Sequence, residues 1–186
     1  MRTGRREQKG ASGRAALCAL LLALMLILGY LETLLPSPGI PGIKLGLSNS
    51  VLLFAVFMLD TPAAYVLMTM KVALSGMLFS GFQAAVYAFA GGLVSVTGMA
   101  LAVFLCGRKE GKAKPVFVSM LGGALHNLGQ IAAAMLVLHT FLPRYLVILL
   151  LSGLACGALT GFIAQRVMTR LKNAGFGIPG EKTEKS

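Results

Sequence analysis

Charge is almost absent from long stretches of this chain and crowded into three short ones. Fourteen of the seventeen Lys and Arg residues fall in residues 1–14, 107–115 and 166–186. The stretches between are apolar and nearly uncharged. Only Lys44, Lys71 and Arg144 break the pattern. Short cytoplasmic loops of membrane proteins hold the excess of Lys and Arg. The spacing therefore predicts an all-α, polytopic membrane protein, with the basic segments on the cytoplasmic side. A net charge of +11 would also suit a nucleic-acid partner, but such a binder spreads its charge along one face or groove. Nucleic acid is excluded on that ground. At 56% apolar and 12% charged, a chain of 186 residues has too much apolar surface for a small soluble domain to hide.

The turn signals divide the chain into six helices. Residues 1–13 read as a basic cytoplasmic tail, disordered and Gly-bearing. Basic residues followed by an apolar run also begin a signal peptide. Here no small-residue cleavage site follows Tyr30, so the run reads as a retained first helix, Arg14 to Leu35. Three prolines and two glycines within residues 36–42 end it. The second helix, Gly46 to Leu59, has 14 residues, about 21 Å at 1.5 Å per residue. A hydrocarbon core about 30 Å thick is too wide for it. Residues 40–49 are therefore expected to enter the membrane region, shielded by protein.

Asp60, Thr61 and Pro62 form a turn and cap a third helix, Pro62 to Phe79. Ser80 and Gly81 turn the chain into a fourth helix, Phe82 to Cys106. A basic loop leads to a fifth, Pro115 to Thr140, and Pro143 opens a sixth that ends near Leu171. The transmembrane domain thus covers residues 14–171, and 172–186 form a second charged tail. Six crossings place both termini and the 107–115 loop in the cytoplasm, in agreement with the charge. The expected location is the plasma membrane.

Four groups of residues stand out. Lys44, Ser48 and Asn49 put a cation, a hydroxyl and an amide at the start of a broken helix, where free backbone N–H groups suit polar or anionic ligands. A structural loop, with Lys44 snorkelling to water, is the plainer account. Lys71 lies near mid-membrane, where a charge costs about 2.5–3.5 kcal/mol and belongs in the bundle interior. Glu32 is the only acid expected on the outer side, and a buried structural pair with it, for which Lys71 would have to reach outward, is the plainer account of Lys71. His126 and Gln130 are one turn apart on the fifth helix, with Asn127 beside them. They read either as interhelical hydrogen-bonding residues or as a ligand-binding set. Gly153, Gly157 and Gly161 form a small-residue stripe suited to helix packing, and Ala15, Ala19 and Ala23 form a second one. Phe54, Phe57, Tyr65, Phe82 and Tyr87 are candidate ring partners for a ligand.

Enzymatic chemistry finds little support. Asp60 is the only aspartate, whereas a prenyl-diphosphate synthase needs clustered aspartates to hold magnesium. No Walker A sequence occurs. Cys18, Cys106 and Cys156 form no C-x-x-C pair and read as small buried hydrophobes. His139 lies 13 residues from His126, about 20 Å along a helix, too far to share a metal. No cofactor is expected.

The runs PGIKLGLSN (41–49), GMLFSGF (76–82), FAGGLVSVTGMAL (89–101) and GGALHNLGQ (122–130) together resemble the membrane family called heptaprenyl diphosphate synthase component I, also called Gx transporter. The resemblance covers roughly residues 15–171. That family is in turn similar to the substrate-binding S components of energy-coupling factor (ECF) transporters. The resemblance implies a six-helix, S-component-like bundle with a short or broken second helix and a pocket near the outer surface. It implies that Lys44, Ser48 and Asn49 fall among outer-loop and pocket residues. It further implies that the Ala15, Ala19, Ala23 face presses on a transmembrane coupling protein driven by ATPases. The expected function is capture of a vitamin-like small molecule for uptake, with Lys71, His126, Asn127 and Gln130 completing the pocket. The alternative is a non-catalytic membrane accessory subunit of heptaprenyl diphosphate synthase, in isoprenoid or quinone synthesis.

Overall fold

A computed structural model describes residues 2–34, 46–106, 114–139 and 143–174. Every element among them is helical. In chain order they are α1 (Arg2–Leu34), α2 (Leu47–Met58), α3 (Thr61–Ser75), α4 (Phe82–Cys106), α5 (Pro115–Leu138) and α6 (Pro143–Asn173). A π-helical turn, Gly76–Ser80, continues α3. Lys44 and the rest of the expected outer loop lie outside the described residues, as do 107–113 and 175–186.

Five helices are long and apolar enough to cross a membrane; α2 is shorter. This is the build of a multi-pass membrane protein. Large apolar side chains cover the outside of the bundle, with Phe82 85%, Phe104 82% and Leu136 75% exposed. In water such a surface would be unfavourable, but against lipid tails it carries no such cost. Of the tail expected over residues 1–13, residues 2–13 are helical instead, as α1 begins at Arg2 without a break. Residues 2–14 hold no proline to stop it.

With 12 residues, α2 spans about 18 Å. It does not face lipid, since it packs against each of the other five helices. Leu53, Ala55 and Val56 are fully buried on it, as expected for a helix that is apolar all round. Its entry turn uses Gly46 at φ +70°, the left-handed region where a side chain costs about 1–2 kcal/mol.

The Asp60 turn forms as its sequence predicts. Asp60 Oδ1 accepts from Ala63 N at 2.8 Å, and Pro62 lies in the first turn of α3. The second carboxylate oxygen accepts from Arg14. That ion pair places the start of the apolar part of α1 beside the α2–α3 turn. At the other end of α1, Glu32 accepts the Leu47 N–H, the first amide of α2.

Helix α5 packs most closely on α6 and α4. A Cβ on Gly157 would stand 2.6 Å from Ser119 O, and one on Gly161 would stand 2.8 Å from Val116 Cα. Gly153 meets the Gly123 carbonyl in the same way. The stripe at 153, 157 and 161 thus lies inside the molecule, against α5. On the opposite side of α5, Gly129 meets Gly91 and Ala90 of α4.

Candidate functional site

The described helices surround a cavity of about 340 Å³. All six helices contribute to its wall. Ser48 and Asn49 enter from the first turn of α2, Lys71 from α3, and His126, Asn127 and Gln130 from α5. Six of the seven polar residues singled out in the sequence therefore surround one volume; the seventh, Lys44, lies outside the described residues. On α4 the lining runs from Ala84 to Met99, about 22 Å of helix. The cavity is thus deep, reaching from the end of the bundle near Glu32 and Tyr145 past its middle.

Each group is held by a local device. His126 and Gln130 share a face of α5, and Gly91 on α4 leaves room for them. A Cβ there would fall 2.6 Å from Gln130 Cγ and 3.1 Å from His126 Nδ1. Ser48 is 2% exposed and stands two residues after the left-handed Gly46. Asn127 has a second task. Its Nδ2 donates to Leu149 O of α6 at 2.6 Å, so the interhelical reading of this residue holds for its amide nitrogen.

The sequence reading missed several lining residues. Glu32 lines the cavity while holding the start of α2; its signal was its isolation as an acid in an apolar stretch. Ser95, Ser119 and Thr160 line the deep end. Single hydroxyls in apolar helices gave no signal, because nothing in the sequence shows that three helices bring them together. The aromatic candidates fare unevenly. Of the five, only Tyr87 lines the cavity, joined there by Phe79 and Tyr145. Phe54, Phe57 and Tyr65 pack on the apolar core instead, and Phe82 points outward. On the buried α2 every face has a neighbour, so an aromatic there is a packing residue.

The Ala15, Ala19, Ala23 stripe is exposed along α1. The glycine stripe of α6, by contrast, is buried. Among the described residues no three His, Cys, Asp or Glu side chains gather as a metal ion would need.

The cavity, its wall and the short central helix all fall within one stretch of sequence, and that stretch has relatives. The chain belongs to the heptaprenyl diphosphate synthase component I family. The family model matches residues 21–167, which contain every described residue lining the cavity. Ala15 and Ala19 lie ahead of the matched stretch. No curated protein and no solved structure matches the chain.

Proposed function

We propose that this family member captures a small polar molecule in its cavity and serves as the substrate-binding subunit of an uptake transporter of the ECF S-component type. The supporting observation is the cavity itself. Its volume of about 340 Å³ suits a vitamin-sized molecule or precursor. One ammonium, one imidazole and several amides converge on it from three helices. Lys71 carries the argument furthest, because a cation in an apolar helix is costly unless it serves a polar interior. The protein does no chemistry of its own in this reading. Its one aspartate is engaged with Arg14 and the α3 N-terminus, far from a cluster that could hold magnesium and diphosphate.

In the same reading the chain crosses the plasma membrane six times, with α2 and the segment before it making one crossing together. The basic ends, including both termini, face the cytoplasm. The exposed Ala15, Ala19, Ala23 face meets the transmembrane coupling protein of an ATPase-driven module.

The family name favours a second reading, a non-catalytic accessory subunit that holds a soluble heptaprenyl diphosphate synthase at the membrane. Native mass spectrometry of the full chain, purified from its own host in mild detergent, separates the two. A retained small molecule of defined mass is the result expected for capture. An empty chain that brings down a soluble prenyl synthase overturns it in favour of the accessory role.

A further inference from the structure

We infer that the C-terminal end of α6 binds one anionic phospholipid, with Arg166 and Arg170 on its phosphate and the apolar stripe before them along its tails. The inference concerns the outside of the bundle, so it stands or falls apart from the capture reading.

The two faces of α6 differ. Gly157, Gly161, Ala164 and Met168 are buried. Leu159, Phe162, Ile163, Arg166 and Arg170 are exposed. Their spacing of i, i+3, i+4, i+7 and i+11 makes them one stripe, on the side away from the core. That stripe is apolar as far as Ile163 and cationic after it, the same order as the tails and head of a lipid. Its depth also fits. Between Arg144 and Arg166 the helix runs for 21 residues without a charge, about 32 Å. The hydrocarbon core is about 30 Å thick. With Arg144 at one boundary, Arg166 falls at the other, level with the headgroups.

An arginine at that depth ordinarily stretches toward water. Arg166 does the reverse. Its Cζ stands over the Phe162 ring, 4.9 Å from the centroid, one turn back toward the apolar run. The contact holds the guanidinium where tails meet heads, and a cation over a ring face is attracted there. A ring has no lone pair in its plane for the five N–H donors of the guanidinium, so those donors are left for an oxygen from outside. Arg170, one turn further on the same stripe, adds a second cation. Among the described residues the ion pair at this end of the bundle is Arg14 with Asp60, and neither arginine of α6 takes part in it. Two cations beside an apolar stripe match a lipid of net negative charge. They match phosphatidylcholine less well, because its choline group brings a positive charge to the same place.

The test adds two lipids with the same tails, dioleoylphosphatidylglycerol and dioleoylphosphatidylcholine, to the full chain in mild detergent. Bound lipid is measured by native mass spectrometry, with Tm read alongside. At about fivefold for each cation near a membrane surface, the glycerol lipid should bind at least tenfold more tightly. The variant Arg166→Gln/Arg170→Gln should cut that preference at least fivefold. Both side chains are exposed, so its Tm without lipid should match the parent. Arg108→Gln/Lys109→Gln removes two charges from the other basic stretch and controls for diffuse attraction; it should cut the preference less than twofold. Phe162→Leu keeps the charges and the apolar stripe but loses the ring, and should cut it about two- to threefold. Equal binding of the two lipids, or binding of neither, overturns the inference. So does a control that loses as much as the α6 variant, which would leave only the general attraction of a basic surface. An α6 variant that binds lipid as the parent does but no longer co-purifies with a transporter module also overturns it, and makes the two arginines a protein contact.

Discussion

The side-chain amide of Asn127 donates to the main-chain carbonyl of Leu149 at 2.6 Å, tying the middle of α5 to the first half of α6. This one bond separates two roles that the sequence left merged. His126 and Gln130 are held by the space at Gly91, whereas Asn127 is held by another helix. Asn127→Ala should therefore act first on stability. Interhelical hydrogen bonds of this kind contribute about 0.6–1.7 kcal/mol. A lowered Tm in detergent is expected, together with weaker retention of any bound molecule. An unchanged Tm with lost retention would move Asn127 from packing to direct binding.

Lys71 should show its effect in retention. Replacing it with methionine removes a charge from an apolar helix while keeping the length of the side chain. Lys71→Met is expected to cut retention of a bound molecule by at least tenfold, read by native mass spectrometry. A variant that retains the molecule as the parent does would remove Lys71 from the site.

The two small-residue stripes give a matched comparison. Gly157 has Ser119 O and Met120 Cα within 2.8 Å of where a Cβ would lie, and both are backbone neighbours that cannot turn aside. Overpacking costs about 1–3 kcal/mol or more, so Gly157→Leu should yield little folded protein by size-exclusion chromatography. The triple variant Ala15→Leu, Ala19→Leu, Ala23→Leu changes exposed positions and should leave elution and Tm close to the parent. Its effect should appear only in co-purification with a transporter module.

Much of this was legible in advance, and the reasons are physical. The punctuating residues carried the helix boundaries: Ser80 and Gly81 end the α3 segment, Gly81 takes φ +81°, and Pro115 and Pro143 open α5 and α6 as expected. The short α2 followed from its length against the bilayer. Five cavity residues were visible because Lys, His, Asn and Gln are costly in an apolar helix without a purpose, and Ser48 because it stands at the start of a broken helix. The hydroxyls of Ser95, Ser119 and Thr160 were not visible, because a serine or threonine can satisfy its own helix backbone and so is common in apolar segments. Their convergence is a property of packing between α4, α5 and α6. The aromatic side chains of α2 were misread for a related reason. A period cannot show that a helix is surrounded on every side.

Asp60 joins two contacts whose energies should differ. Its Oδ1 caps α3 at Ala63 N, at 2.8 Å, and its second oxygen meets Arg14. The ion pair is solvent-facing, with side chains 54% and 37% exposed, and such pairs contribute about 0.2–1 kcal/mol. Loss of an N-cap costs about 0.5–2 kcal/mol. Arg14→Ala should therefore lower Tm only slightly, and less so at high salt. Asp60→Ala should lower it more, since both contacts go. Asp60→Ser keeps a capping oxygen without the charge and should match Arg14→Ala. If Asp60→Ser were as unstable as Asp60→Ala, the ion pair rather than the cap would be what holds the α2–α3 turn to α1.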